Sequence, residues 1–281
     1  MALLNSFNSG VNGIKTFSKS LEVIGDNIAN VNSTGFKTSR VTNQDSFSET
    51  LRFSTAGDGD AGGINAMQVG SGSSVSSISQ IFTQGALTTT GGPTDLGITG
   101  KGFFKVQNLA TEEVLYTRAG DFRLDDTGNL LTNSGLNVLG IGDAPIKIDP
   151  LNGTNPLQSF KIDKDGKVSA YYSNGTAAVP KGQLVLTSFA NANALMRTGD
   201  NLLSNGSQTD GEDGGPAGAT DSTGANNNLF GDIIQGTLEL SNVDLTQQFS
   251  DLIVAQRAFQ ANSRVITVSD SVMEEIVNLK R

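Results

Sequence analysis

Four stretches of this chain carry residue types that could do chemistry. Asp163-Lys164-Asp165-Gly166 has the opening of a calcium loop, in which alternate carboxylates would face one cation. The later ligands and the closing Glu do not follow, and the same four residues read more simply as a hairpin turn. Gly97, Gly100 and Gly102 (GITGKG) could bring backbone close to a phosphate, but the phosphate-loop spacing and its Lys-Ser/Thr are missing. A β-bulge or a close-packed turn is expected there. Glu112-Glu113 and Asp125-Asp126 are adjacent carboxylates whose side chains diverge on a strand, so neither pair converges as general acid and base. The chain has no His, which removes the commonest general base and transition-metal ligand, and no Cys, which removes thiol nucleophiles and disulfides. No catalytic residue, metal or cofactor is expected, and the glycosylation-like triplets at Asn152, Asn174 and Asn205 coincide with Asn-Gly turns.

Composition narrows the classes further. A formal net charge of −9 argues against nucleic acid and against an anionic membrane surface as partners. No apolar run of about 18 residues exists, so no spanning helix is expected. The N-terminus lacks a basic segment followed by unbroken apolar residues, so no cleavable secretory signal is expected. The chain has 34 Gly and no Trp in 281 residues, a composition that suits turns and close backbone packing more than a large aromatic core.

The regular spacing lies at the two ends. Leu3, Phe7, Gly10, Ile14, Phe17, Leu21, Ile24, Ile28 and Val31 recur at alternating steps of 4 and 3, the repeat of a coiled-coil seam. Leu245, Phe249, Leu252, Phe259, Ile266 and Met273 fit the same repeat, with polar Gln256, Ser263 and Asp270 at the missed beats. The first segment predicts a helix of roughly 43 Å and the second, from about Asn242 to Leu279, one of about 55 Å, at about 1.5 Å per residue. Gly10, Gly13 and Gly25 each cost on the order of 1 kcal/mol in a helix interior, so the first helix depends on packing. Asn30 to Gly35 reads as its stop, with Gly for a left-handed cap. Ser241 or Asn242 is the expected N-cap of the second helix, with Asp244 in its first turn. A further stripe on that helix, running through Val254, Ala258, Ala261, Val265, Val268, Val272, Ile276 and Leu279, predicts more than one neighbour. These seams are the candidate self-assembly residues, and a charge placed at Phe259 or Ile266 is expected to block assembly.

Between the ends the signals are those of strands. Ile98–Val106, Val114–Tyr116, Phe122–Leu124, Leu130–Leu131 and Gln183–Phe189 are short apolar or alternating runs, split by turns at Asp125–Gly128, Asp165-Gly166 and Asn174-Gly175. Residues 36–75 show little periodic pattern, and 56–63 read as an exposed loop. Residues 204–228 contain almost no large apolar side chain and read as a mobile loop. The fold class is therefore α+β, with long N- and C-terminal helices forming a coiled-coil-like stalk and a central Gly-rich antiparallel β domain. The expected organisation is a helical core from 1–35 and 240–281, a connecting segment 36–75, and an outer β domain 76–239.

Several motifs resemble one family. Asp26 to Lys37 (DNIANVNSTGFK) is similar to the N-terminal signature of bacterial flagellar rod and hook proteins. Phe82–Val106, Tyr116–Leu130 and Gly236–Arg281 resemble later segments of the same family. Asn242–Leu245, Ile253–Arg257, Asn278–Arg281, Asp163–Gly175 and Leu184–Asn193 look most like the hook members. The resemblance implies a hook subunit in a flexible, torque-transmitting tubular joint, a homopolymer whose terminal helices form the inner layer and whose β domain forms the outer one. It implies neighbouring rod and hook–filament junction proteins, a hook cap and the type III export apparatus during assembly, and an extracellular place in the flagellum reached without signal cleavage. The stretch from Thr38 to Gly70 has a length that resembles the distal rod members, where an insertion there is thought to stiffen the tube. The rod is thus the alternative.

Overall fold

The computed structural model describes residues 2–54, 63–108, 112–152, 155–173, 179–189, 191–205, 212–216 and 230–279. The chain divides into two compact units, each assembled from distant pieces of sequence: Met1–Ala29, Ser39–Ile81 and Asp244–Arg281 form the first, Asn30–Thr38 and Phe82–Val243 the second. The architecture is α+β, with helices at both ends of the sequence and antiparallel strands between.

In the first unit, α1 (Ala2–Ala29) and α2 (Leu245–Leu279) pair antiparallel. Asn27 meets Gln248 near one end, while Gly13 and Gly10 meet Asn262 and Ile266 further along. A Cβ on Gly13 would lie 2.8 Å from Asn262 Nδ2, and one on Gly10 3.1 Å from Ile266 Cγ1, so these two glycines permit close helix approach. Gly25 faces open space. α1 stops two residues short of Val31, which falls in the following turn and belongs to the second unit. α2 begins at Leu245, later than expected, because Asp244 is its N-cap: its Oδ1 accepts from the backbone N–H of Thr246 at 2.9 Å and of Gln247 at 3.3 Å. Asn242 does not cap α2, since its amide is committed to Thr38 and Thr83.

The same unit holds a β-ribbon where little periodicity was visible. β1 (Ser39–Asp45) pairs with β4 (Ser73–Gln80), and β2 (Ser48–Arg52) with β3 (Met67–Gly70). Bonds from Ser46 N to the Gly72 carbonyl and from Ser71 N to the Phe47 carbonyl join the two ladders into one hairpin arm. Most of its side chains are exposed on both faces, so the sequence has no reason to alternate. Most of the loop expected at 56–63 lies outside the described residues.

The second unit is built from short strands. They are β5 (Leu87–Thr89), β6 (Leu96–Thr99), β7 (Phe103–Gln107), β8 (Val114–Thr117), β9 (Arg123–Leu124), β10 (Leu130–Leu131), β11 (Asn137–Val138), β12 (Leu151–Asn152), β13 (Asn155–Ile162), β14 (Lys167–Tyr172), β15 (Val179–Gln183), β16 (Val185–Phe189), β17 (Met196–Gly199), β18 (Leu202–Ser204), β19 (Glu212–Pro216), β20 (Asp232–Gln235) and β21 (Thr237–Glu239). The largest sheet runs β17-β18-β8-β7-β11-β10-β9, with β16 bridging β7 and β19; β12 to β15 form a four-stranded meander. The run expected from Ile98 to Val106 is divided between β6 and β7, because Gly100 and Gly102 turn the chain with φ of +114° and +129°. The Asp165-Gly166 and Asp125–Gly128 turns form as expected, closed by Gly166 N to the Asp163 carbonyl and Gly128 N to the Asp125 carbonyl. Asn174-Gly175 lies outside the described residues. Within 204–228, expected as a loop throughout, β19 pairs with β16 from Val185↔Pro216 to Phe189↔Glu212. Backbone hydrogen bonds hold this strand, and they need no large apolar side chain to form.

The core of this unit gathers Phe104, Val106, Leu130, Val138, Ile148, Leu184 and Leu186, with Phe104 set edge-on to Phe122 at 5.1 Å. A second cluster joins Phe103, Tyr116 and Phe189.

Two glycine substitutions separate helix propensity from packing. Gly25→Ala should stabilise the first unit by about 0.5–1 kcal/mol in urea denaturation, since it removes backbone entropy where nothing is displaced. Gly13→Ala should instead destabilise, because its Cβ meets the Asn262 side chain.

Candidate assembly surface and buried ionic cluster

The structure distributes the expected seam residues unequally. On α1, Ile14, Phe17, Leu21, Ile24 and Ile28 are half-buried, Phe7 is exposed, and Leu3 lies in the first turn. On α2, Leu252, Phe259 and Ile266 are half-buried, whereas Leu245, Phe249, Met273, Ile276 and Leu279 are exposed. The positions facing inward at the alternate beats are Ala255, Asn262 and Ser269, one residue before the polar positions that the repeat pointed to. They are small or polar, so counting apolar residues missed them. Val254, Val265 and Val268 on the further stripe are exposed as well, with Val268 at 61%. One face of α2 is thus seated, and a long apolar face remains open.

A second stripe on α1 is polar. Ser9, Asn12, Thr16 and Asn27 share one face at helical spacing. Asn12 Nδ2 donates to the Ser71 carbonyl at 3.0 Å, and Thr16 Oγ1 to the Ser73 carbonyl at 3.1 Å. Asn27, 1% exposed, accepts from Ser39 N at 2.9 Å, donates to the Ser39 carbonyl at 2.8 Å, and donates to Gln248 Oε1 at 3.0 Å. One amide therefore holds α1, α2 and the root of the ribbon together. In the outer half of the ribbon Phe47, Leu51 and Phe53 are exposed, as is Val69, the cross-strand partner of Glu49, and a register shift between Thr50 and Arg52 interrupts the alternation there. Phe47 and Phe53 are 90% and 77% exposed.

In the second unit a buried carboxylate faces two cations. Glu239 Oε1 accepts from Lys37 Nζ at 2.6 Å and from Gly85 N at 2.9 Å, and its Oε2 accepts from Arg118 Nη1 at 3.1 Å. Lys37 also donates to the Thr83 carbonyl and Arg118 to the Gly100 carbonyl, while the Arg118 guanidinium stands 5.3 Å over the Phe103 ring. Burial lowers the pKa of both cations, and Glu239 opposes that shift at each. Nearby, Asn242 Oδ1 accepts from Thr38 N and Thr38 Oγ1, and its Nδ2 donates to Thr83. Gly35, with φ +69°, does not cap α1; it sits where a Cβ would lie 2.5 Å from Ala119 N. Asp163 and Asp165 are hairpin-turn residues, with Asp163 paired to Lys161. No cluster of potential metal ligands occurs among the described residues.

Three family models match the chain. Residues 7–37 match flagella basal body rod protein, residues 97–170 the flagellar hook protein FlgE/F/G D1 domain, and residues 234–279 the flagellar basal body rod FlgEFG protein C-terminal. Lys37, Arg118 and Glu239 fall one in each. Flagellar basal-body rod protein FlgG of Bacillus subtilis is 42% identical over 283 residues, covering 99% of this chain and 100% of that protein. The protein of the same name from Agrobacterium fabrum is 36% identical over 272 residues, 95% of this chain and 97% of its own. Flagellar hook protein FlgE of Treponema pallidum is 24% identical over an alignment of 474 residues that spans 99% of this chain and 100% of that protein. These are rod and hook proteins, not enzymes.

Removing the shared carboxylate should be costly. Glu239→Gln is expected to lower unfolding free energy by about 3–5 kcal/mol in urea titration, because two buried cations lose their counter-charge. Adding Lys37→Met should recover part of that loss, giving a double variant more stable than the sum of the two single effects.

Proposed function

We propose that this chain, which belongs to the family of bacterial flagellar rod and hook proteins, is a subunit of the distal rod. In this reading it self-assembles into a stiff tube that transmits torque within the basal body. The observation that carries the reading is end-to-end similarity to proteins named basal-body rod protein, at 42% and 36% identity, against 24% for a named hook protein.

This reverses the order of the two alternatives drawn from the sequence. The segments that looked hook-like carry duties of the fold. Asn242 staples Thr38 to Thr83, Asp244 caps α2, and Asp163–Gly166 closes a hairpin. Such duties bind a rod subunit as much as a hook subunit, so those residues do not separate the two. Within the stretch from Thr38 to Gly70, by contrast, Ser39–Asp45, Ser48–Arg52 and Met67–Gly70 are strands of a paired arm on which Phe47, Leu51 and Phe53 are exposed. That supports a stiffening contact with a neighbouring copy.

The physical basis of assembly is the open face of α2. Burying Val254, Val265, Val268 and Ile276 against further copies would gain roughly 1.5–3 kcal/mol for each side chain fully covered. In the polymer, 1–35 and 240–281 would form an inner layer of coiled-coil-like seams, 36–75 the connecting segment and 76–239 the outer layer. The subunit would leave the cell through the type III export apparatus without signal cleavage, assemble under a cap, and abut other rod proteins and the hook.

Electron microscopy of the purified polymer tests this reading. A straight, stiff tube is expected, and a curved, bendable one would return the hook to first place. For the assembly surface, Val268→Asp should leave circular dichroism of the monomer unchanged and abolish tubes in sedimentation. Normal tubes from this variant would refute the surface. Phe259 and Ile266 are unsuitable targets, since both are already half-buried and Ile266 lies against Gly10 of the same chain.

A further inference from the structure

The ribbon has a mode of attachment that its sequence does not advertise. The hydrogen bonds that seat it on α1 come from side chains of the helix to backbone atoms of the ribbon: Asn12 to Ser71, Thr16 to Ser73, and Asn27 twice to Ser39. Gly72 completes the track, because a Cβ there would lie 3.1 Å from Ser9 Cα. These attachments are graded. Asn27 is buried, bonds Ser39 in both directions and is backed by Gln248. Asn12, half-buried, and Thr16, buried, each make one bond to a single carbonyl. A two-stranded arm is marginal by itself, so its order depends on this track.

We propose that the paired strands β1 to β4 form a strap that seats on α1 in one register through Ser9, Asn12, Thr16 and Asn27, and that opens from the Asn12 end while Asn27 holds its root. The strap carries the exposed side chains of Phe47, Leu51 and Phe53 with it, so opening changes where they can reach. The ribbon answers the helix through its backbone atoms. This inference concerns a single chain and stands whether the polymer is a rod or a hook.

Hydrogen exchange of the full chain, at a dilution that keeps it monomeric, tests the strap. In N12A/T16V the amides of 40–45 and 74–79 should exchange roughly tenfold to a hundredfold faster, as expected from losing two such bonds. The amides of 103–107 and 185–189 should not change. The chain has no Cys, so an engineered N12C/S71C pair can form one defined cross-link. Its oxidation should slow exchange of the ribbon below that of the unmodified chain. Ribbon exchange that is unaffected by both variants, or that always keeps pace with 103–107, would overturn the proposal.

Discussion

Glu239 sits at 1% exposure with a lysine on one oxygen and an arginine on the other. Carrying two cations and one carboxylate out of water is costly, and their mutual attraction offsets that cost only when the remaining hydrogen-bonding capacity is filled. Here the Thr83 and Gly100 carbonyls, the Gly85 amide and the Phe103 ring fill most of it; Arg118 Nε has no partner. The cluster has a positional consequence beyond its energy. Lys37 follows α1, Glu239 precedes α2, and Arg118 lies in the middle of the β unit, so the segments that flank both helices are bolted to one point within that unit. Asn242 repeats the logic with uncharged groups, tying Thr38 to Thr83.

The helical unit follows a different rule. Small and polar residues, Gly10, Gly13, Asn27, Asn262 and Gln248, stand among its inner contacts, with Ile266 against Gly10. Larger apolar residues stay half-covered or open. A self-sufficient helical pair would place them the other way round, with Leu and Ile inward and small residues where size matters least. Here the small residues set how closely the helices approach, and many of the larger apolar ones on α2 stay open.

Much of this was legible in the sequence. The alternating 4 and 3 spacing located both helices, and Asp-Gly and Asp-Asp-Thr-Gly placed two turns, because both signals reflect local backbone geometry. The seam of α2 was read one residue late at its alternate beats, since Ala255, Asn262 and Ser269 are invisible to an apolar count. The polar stripe of α1 was missed for the same reason, although Ser9, Asn12, Thr16 and Asn27 keep helical spacing. The ribbon left no trace because solvent on both faces imposes no alternation. The ionic cluster was beyond sequence reasoning: Lys37 and Glu239 are 202 positions apart, and nothing local marks either as buried.

Such distances also govern how the fold is reached. Asn27 waits for a partner 221 residues away, and the chain passes between its two units four times. Contacts this remote must meet a large loop-closure entropy before they return any stabilisation, and folding rates fall as the mean separation of contacting residues grows. The helical unit therefore cannot close until α2, the last element of the sequence, is present, whereas the β unit has all of its sequence by Val243.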